Sequence, residues 1–311
     1  MDNVNHSRID CADGPPRQGA VERIEEQHLR NIVGIGLKEN PSGDETALRY
    51  FLATVLLRHY LGTAWCDEVK PGQADIRRSS RAGRLFLRTD NDRSDDRYKH
   101  QARIERLAEL LYNLQDVQGI ASRRASIQEG AVESTYAELE FAGHFTRRGV
   151  RVQFLDRSGV KGNDYDLDAG EGATAVCCEV KCKLESTDLG GNTIINALAD
   201  ARKQMPADRA AIIGVKIPEP WISEPALRRM LESALASFFR NSGRVVAVVV
   251  RWEEVSTLPT GNGAILYKFH AFPNEGSRHL TDEVRRLVQQ LTRSAGGDWT
   301  SFRAVVPASV T

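Results

Sequence analysis

Acidic and basic side chains that could act together on a phosphate are concentrated in two short segments near the middle of the chain. The first segment, residues 162–168, carries an aspartate at every second position, and the second, residues 177–183, contains a Glu-x-Lys run. The residues concerned are Asp164, Asp166, Asp168, Glu179 and Lys181. If the second segment is a strand, its alternation places Glu179 and Lys181 on one face and the apolar thiols of Cys178 and Cys182 on the other.

Two carboxylates one strand spacing apart have a specific use in phosphodiester hydrolysis. They can jointly hold Mg²⁺, which prefers hard oxygen ligands, keeps several waters and accepts phosphate oxygens. Without a cation the same pair is unfavourable, since two like charges ~4 Å apart repel by ~4 kcal/mol at an effective dielectric constant of 20. A divalent ion would polarise the scissile phosphate and lower the pKa of an attacking water, while Lys181 would stabilise the developing negative charge.

A third acid is offered by the helix that precedes these strands. On a helix over residues 131–148, Glu138 falls at the edge of the apolar stripe, whereas Glu140 falls on the far side and is expected to be solvated. An acid beside a buried stripe needs a cation or a hydrogen-bond donor, which favours Glu138 for the metal site. A structural interpretation of the two strands also stays open. A Glu-x-Lys run is typical of an exposed ion pair, and the three aspartates are typical of the water-facing side of an edge strand.

The order of predicted elements around these residues is α-β-β-β-α-β. Hydrophobic periodicity predicts a helix over 131–148, strands over 150–155, 164–168 and 174–182, a helix over 192–205 and a strand over 210–216. The chain continues with a helix near 224–240, strands near 244–251 and 264–271, and a helix near 281–293. The sequence therefore predicts an α/β protein.

With these residues in this order, the chain resembles the PD-(D/E)xK nuclease superfamily over roughly Val132–Pro218. The resemblance implies a restriction-endonuclease-like αβββαβ core and a Mg²⁺ or Mn²⁺ cofactor. It assigns the motif aspartate to Asp164, the Glu-x-Lys to Glu179 and Lys181, the first-helix acid to Glu138 and a glutamine near the site to Gln204. Asp164, Glu179 and Glu138 are then the expected metal ligands. Two features depart from the common pattern: Asn163 stands where many members have proline, and Cys177 places a thiol at the cleft.

The N-terminal part of the chain is expected to be a flexible tail over 1–20 and a mainly helical region over 21–128, followed by the nuclease-like domain over 129–311. A capping box of Ser42 and Glu45 is predicted to open one of the helices. The stretch from Lys70 to Arg106 has more basic than acidic residues. Two interpretations of it stay open, a solvated loop and an arm that contacts phosphates.

The overall charge restricts the kind of partner. The chain has 311 residues with 42 lysines and arginines against 42 aspartates and glutamates, so its formal charge is zero. A polybasic nucleic-acid coat protein is excluded, and any nucleic-acid contact must come from a local basic patch. No apolar run approaches the ~20 residues of a membrane span, and the N-terminus does not look like a signal peptide, so we expect a cytoplasmic protein that does not contact membranes. The five cysteines favour buried thiols over a structural zinc site.

These patterns predict a metal-dependent nuclease whose partner is nucleic acid, and we expect that nucleic acid to be DNA. The competing hypothesis is a catalytically inactive module that keeps the fold and binds nucleic acid or a protein. A homodimer is possible, with the N-terminal helices recognising substrate or mediating oligomerisation.

Overall fold

The computed structural model describes residues 21–39, 44–69, 94–156, 158–160, 162–184, 187–257, 263–293 and 297–306. The helices before the first strand are α1 (Glu26–Glu39), α2 (Glu45–Leu61), α3 (Thr63–Val69), α4 (Ser94–Asn113), α5 (Ile120–Gln128) and α6 (Val132–Thr146). The strands are β1 (Val152–Phe154), β2 (Leu167–Ala169), β3 (Val176–Cys182), β4 (Ala211–Lys216), β5 (Val245–Thr257) and β6 (Gly263–Pro273). The remaining helices are α7 (Gly191–Gln204), α8 (Glu219–Ile222), α9 (Leu227–Arg240), α10 (Asp282–Gln290) and α11 (Phe302–Val305).

The strands form one mixed sheet in the order β1-β2-β3-β4-β5-β6. The pairs β1/β2, β2/β3 and β5/β6 are antiparallel, whereas β3, β4 and β5 run parallel. Parallel neighbours need a long crossover, and α7 provides it between β3 and β4. The protein is therefore a mixed α/β fold, and the predicted α-β-β-β-α-β order is present as α6, β1, β2, β3, α7 and β4.

The start of β2 differs from the prediction. The strand begins at Leu167 rather than at Asp164. The backbone N–H of Asp164 donates to the carbonyl of Gln204 on α7, so this residue is bound to a helix and not to a strand. The chain joins β3 only at Asp166, whose N–H donates to the carbonyl of Cys178. The residue that directly precedes β2 is thus Asp166.

The sheet separates two hydrophobic clusters. One cluster packs α6 and the N-terminal helices against one face and includes Leu52, Leu110, Leu139 and Cys178. The other packs α7 and α9 against the opposite face and includes Cys177 and Leu198. The first cluster runs continuously across the predicted boundary between residues 128 and 129.

The expectation that Glu140 is solvated is wrong. Helix α6 lies between the sheet and the N-terminal helices, so almost all of its residues are buried, and Glu140 is fully buried. Its carboxylate pairs with the guanidinium of Arg106 from α4, and its Oε2 lies 3.6 Å from Nε of Arg251 on β5. Although burial alone would raise the pKa of Glu140, these two arginines hold that pKa below its ordinary value.

Two further expectations concern the N-terminal part. The N-cap of α2 is Asp44, whose Oδ1 accepts from the backbone N–H of Ala47 at 2.7 Å, and Ser42 of the predicted capping box lies outside the described residues. The tail over 1–20 and most of the basic stretch, residues 70–93, also lie outside them. At the end of that stretch Arg103 and Arg106 are buried in ion pairs with Glu253 and Glu140, so these two arginines are not available to phosphates.

The cysteines within the described ranges carry free thiols, and three of them, Cys66, Cys177 and Cys178, are buried. In the same part of the chain no helix combines the length and the apolar character that a bilayer crossing requires.

Candidate active site

The carboxyl group of Asp166, directly before β2, meets that of Glu179 on β3. The antiparallel register pairs Leu167 with Cys178, which places the residue before β2 opposite Glu179. Asp166 is buried, and its Oδ2 accepts from the backbone N–H of Val180 at 2.7 Å. Its carboxyl also lies within hydrogen-bonding range of the Glu179 carboxyl. The structure therefore brings together two acids, but the aspartate concerned is Asp166.

The environment of Glu179 disfavours its negative charge. The side chain is 2% exposed. Burial, and second the repulsion from Asp166, raise its pKa to about 8, although Lys181 opposes the shift. Within the described residues, its buried Oε2 accepts no hydrogen bond from an N–H or O–H donor. The doubly ionised pair is therefore unfavourable, and a cation bound between the two carboxylates would remove this cost.

Lys181 connects this pair to helix α7. Its Nζ lies 2.6 Å from Oε1 of Glu179 and also donates to Oε1 of Gln204, the last residue of α7. Strand alternation places Lys181 and Glu179 on the same face of β3, as predicted, and that face packs against α7. The Lys181 side chain is 23% exposed, so it is held by these contacts and remains partly open to solvent.

Asp164 has a different position from the one expected. Its Oδ1 accepts from the backbone N–H groups of Ser158 at 2.8 Å and Gly159 at 3.2 Å, in the loop between β1 and β2. The third aspartate of the segment, Asp168, pairs with Arg209 at 2.6 Å. Neither carboxylate is brought to Glu179.

Glu138 is engaged by an arginine and is not seen at the acidic pair. Its Oε2 lies 2.9 Å from Nε of Arg123 on α5, and both side chains are buried. The Nη2 of Arg123 donates to the carbonyls of Leu155 at 2.7 Å and Asp166 at 2.9 Å. Arg123 thus ties the N-terminal helices to both ends of the loop that leads into the candidate site.

The thiol of Cys177 does not line an open cleft, contrary to expectation. It is fully buried and donates to the carbonyl of Ala210 at 3.3 Å. Burial is the main cause that raises its pKa to about 12, so the thiol is protonated at neutral pH.

The donor set fits a magnesium-type ion held by two carboxylates. Across the described part of the chain, no three His, Cys, Asp or Glu side chains gather closely enough to form a metal site. A cage of side chains is not required, however, because Mg²⁺ usually binds proteins through one or two carboxylates, waters and substrate phosphates. The buried carboxylate pair, with an oxygen of Glu179 that has no donor, matches this chemistry. Asp166 and Glu179 are the residues that would hold the ion.

Sequence patterns offered Asp166 only as one of three aspartates, and they did not point to Arg123. The signal that could have found Asp166 is its place directly before Leu167, the first residue of the apolar alternation Leu167–Ala169. No local signal distinguishes Arg123, because its partners lie on other elements of the fold.

Comparison of the chain with protein-family models, curated proteins and solved structures gives no match.

Proposed function

We propose that the protein is a metal-dependent nuclease that hydrolyses phosphodiester bonds in DNA, similar to the PD-(D/E)xK superfamily. The observation that carries the proposal is the series of contacts from Asp166, directly before β2, to Glu179 and Lys181 on β3. It combines two buried acids with the partly exposed side chain of one lysine, on an αβββαβ succession of elements.

Each residue has a physical role in this proposal. Asp166 and Glu179 would hold Mg²⁺ or Mn²⁺, which when bound supplies Lewis-acid polarisation of the phosphate and a more acidic water. Lys181 presents its ammonium beside the position where negative charge develops on the phosphoryl oxygens. Gln204 accepts from Lys181 and so orients the ammonium.

Two of the residues implicated by the family resemblance have supporting roles in this proposal. Asp164 closes the loop between β1 and β2 through the backbone of Ser158 and Gly159. Glu138 compensates the buried charge of Arg123, which holds the carbonyl of Asp166. Both would position Asp166 rather than bind the ion.

A substrate panel tests the proposed function. Linear duplex DNA, circular duplex DNA and a single-stranded RNA are incubated with the full chain in Mg²⁺, in Mn²⁺ and in EDTA. We expect DNA to be cleaved with either ion, no cleavage in EDTA, and RNA to be cleaved more slowly. Cleavage of the circle shows internal hydrolysis. If none of the three substrates is hydrolysed with either ion, the proposal is contradicted.

A further inference from the structure

Three arginines converge on the α7 side of the sheet, and none of them has an acidic partner among the described residues. Arg202 lies in the last turn of α7, Arg244 directly before β5, and Arg278 in the segment between β6 and α10. We call these three side chains the arginine patch. Arg202 and Arg244 are half-buried and Arg278 is exposed.

The guanidinium groups of the patch are held by neutral acceptors. Arg202 donates to the carbonyl of Asn241 and, at 3.0 Å, to the hydroxyl of Ser242. Arg244 donates to the backbone carbonyl of Arg202. Arg278 donates to the carbonyl of Ala207 and to the imidazole of His279, each at 3.2 Å. Over the ranges that the structure describes, none of the three forms an ion pair with a carboxylate.

The patch therefore carries positive charge that no ion pair within the described residues neutralises. Burial, then the charge of Arg202, and further the charge of Arg278 lower the pKa of Arg244. Burial and Arg278 likewise lower the pKa of the neighbouring His279, against an opposing effect of Asp208. Arginine cannot discharge near neutral pH, so the repulsion between these groups persists until an anion binds.

Three solvent-accessible arginines elsewhere in the described residues are neutralised locally. Arg228 pairs with Glu232 at 2.9 Å, Arg285 with Glu275 at 2.5 Å and Arg286 with Glu283 at 3.4 Å. Since the chain as a whole has no net charge, a polyanion must find a surface where cations are left without acids. The arginine patch is such a surface.

The geometry points to the phosphodiester backbone of nucleic acid as the ligand of the arginine patch. The last turn of α7 carries both Arg202 and Gln204, and Gln204 contacts Lys181, so the patch lies at the same end of α7 as the candidate active site. Guanidinium groups donate well to phosphate oxygens. This inference rests on the proposed nuclease function, since a nuclease site at the same end of α7 favours nucleic acid over an acidic protein.

Salt-dependent binding tests the inference separately from cleavage. Fluorescence anisotropy measures the affinity of the full chain for a labelled DNA duplex in EDTA, over a range of KCl concentrations. The test variant combines Arg202→Gln, Arg244→Gln and Arg278→Gln. The control, with the same charge change, combines Arg228→Gln, Arg285→Gln and Arg286→Gln.

We expect the test variant to reduce the slope of log affinity against log salt by about 2–3, because each phosphate contact contributes about 0.9. The control variant should keep the slope of the parent. The single variant Arg278→Gln changes only an exposed side chain and should reduce the slope by about 1. It keeps the test informative if the triple variant does not fold. Thermal melting of each variant accompanies the measurement.

An unchanged slope in a folded test variant would overturn the inference and leave the nuclease proposal standing. If the slope is lower in the test variant but the parent chain cleaves no substrate, the result supports the arginine patch and counts against the nuclease proposal. Absence of any DNA binding by the parent would overturn the inference. The inference would also be overturned if poly-glutamate displaced the labelled DNA as effectively as unlabelled duplex does, since the ligand would then be an acidic protein.

Discussion

Lys181→Met is expected to lower the turnover number for DNA cleavage at least about 100-fold, which corresponds to about 3 kcal/mol of barrier. Methionine keeps the length and apolar stem of lysine but removes the ammonium that contacts Glu179 and Gln204. The loss should fall on turnover rather than on DNA affinity, because one cation among many contributes little to binding. Single-turnover kinetics in Mn²⁺, beside anisotropy in EDTA, separate the two quantities.

Lys268→Met is the matched control for this experiment. Lys268 lies on β6 beside Glu254, and its side chain is 43% exposed. Its removal should change turnover less than twofold. If the Lys181 variant cleaves as fast as this control, Lys181 has no part in the chemistry.

Glu140→Gln is expected to destabilise the protein by about 3–5 kcal/mol, the usual effect of removing one partner from a buried ion pair. The substitution keeps the side-chain volume, so lost packing contributes little. It leaves the fully buried guanidinium groups of Arg106 and Arg251 with less compensating charge. Urea denaturation at neutral pH measures the change in the free energy of unfolding.

Glu232→Gln serves as the comparison, because it removes one partner of an exposed pair on α9. Such pairs contribute about 0–1 kcal/mol. Equal stability of the two variants would show that the Glu140 ion pairs do not stabilise the fold.

The succession of elements could be predicted because it depends on local patterns. Strand alternation and helical periodicity are properties of adjacent residues, and they located α6, β3, α7 and β4 to within a few residues. The same alternation placed Glu179 and Lys181 on one face of β3.

The identity of the aspartate could not be predicted in this way. Asp164, Asp166 and Asp168 occupy alternate positions, so strand alternation places all three on the same face and does not choose among them. What distinguishes them is tertiary: the N–H of Asp164 binds the carbonyl of Gln204, which delays the start of β2 until Leu167. Contacts between residues so far apart in sequence leave no local pattern.

The burial of Glu140 escaped prediction for a related reason. The amphipathic interpretation of α6 assumes that one side of the helix faces water. In the structure that side is covered by α4 and by the sheet, and arginines from both neutralise the acid. Arg123 shows the same dependence on distant elements, because it joins α5 to Glu138 and to the carbonyl of Asp166.

The central claim is that Asp166 and Glu179 form the metal-binding pair of a nuclease. Its most direct test compares the cleavage rates of Asp166→Asn and Asp164→Asn in Mn²⁺ with that of the parent. Both substitutions remove one negative charge within the same short segment, but only Asp166 meets Glu179. We predict that Asp166→Asn loses at least about 100-fold in rate and that Asp164→Asn stays within about tenfold of the parent. The reverse order, or equal rates for all three proteins, would contradict the account.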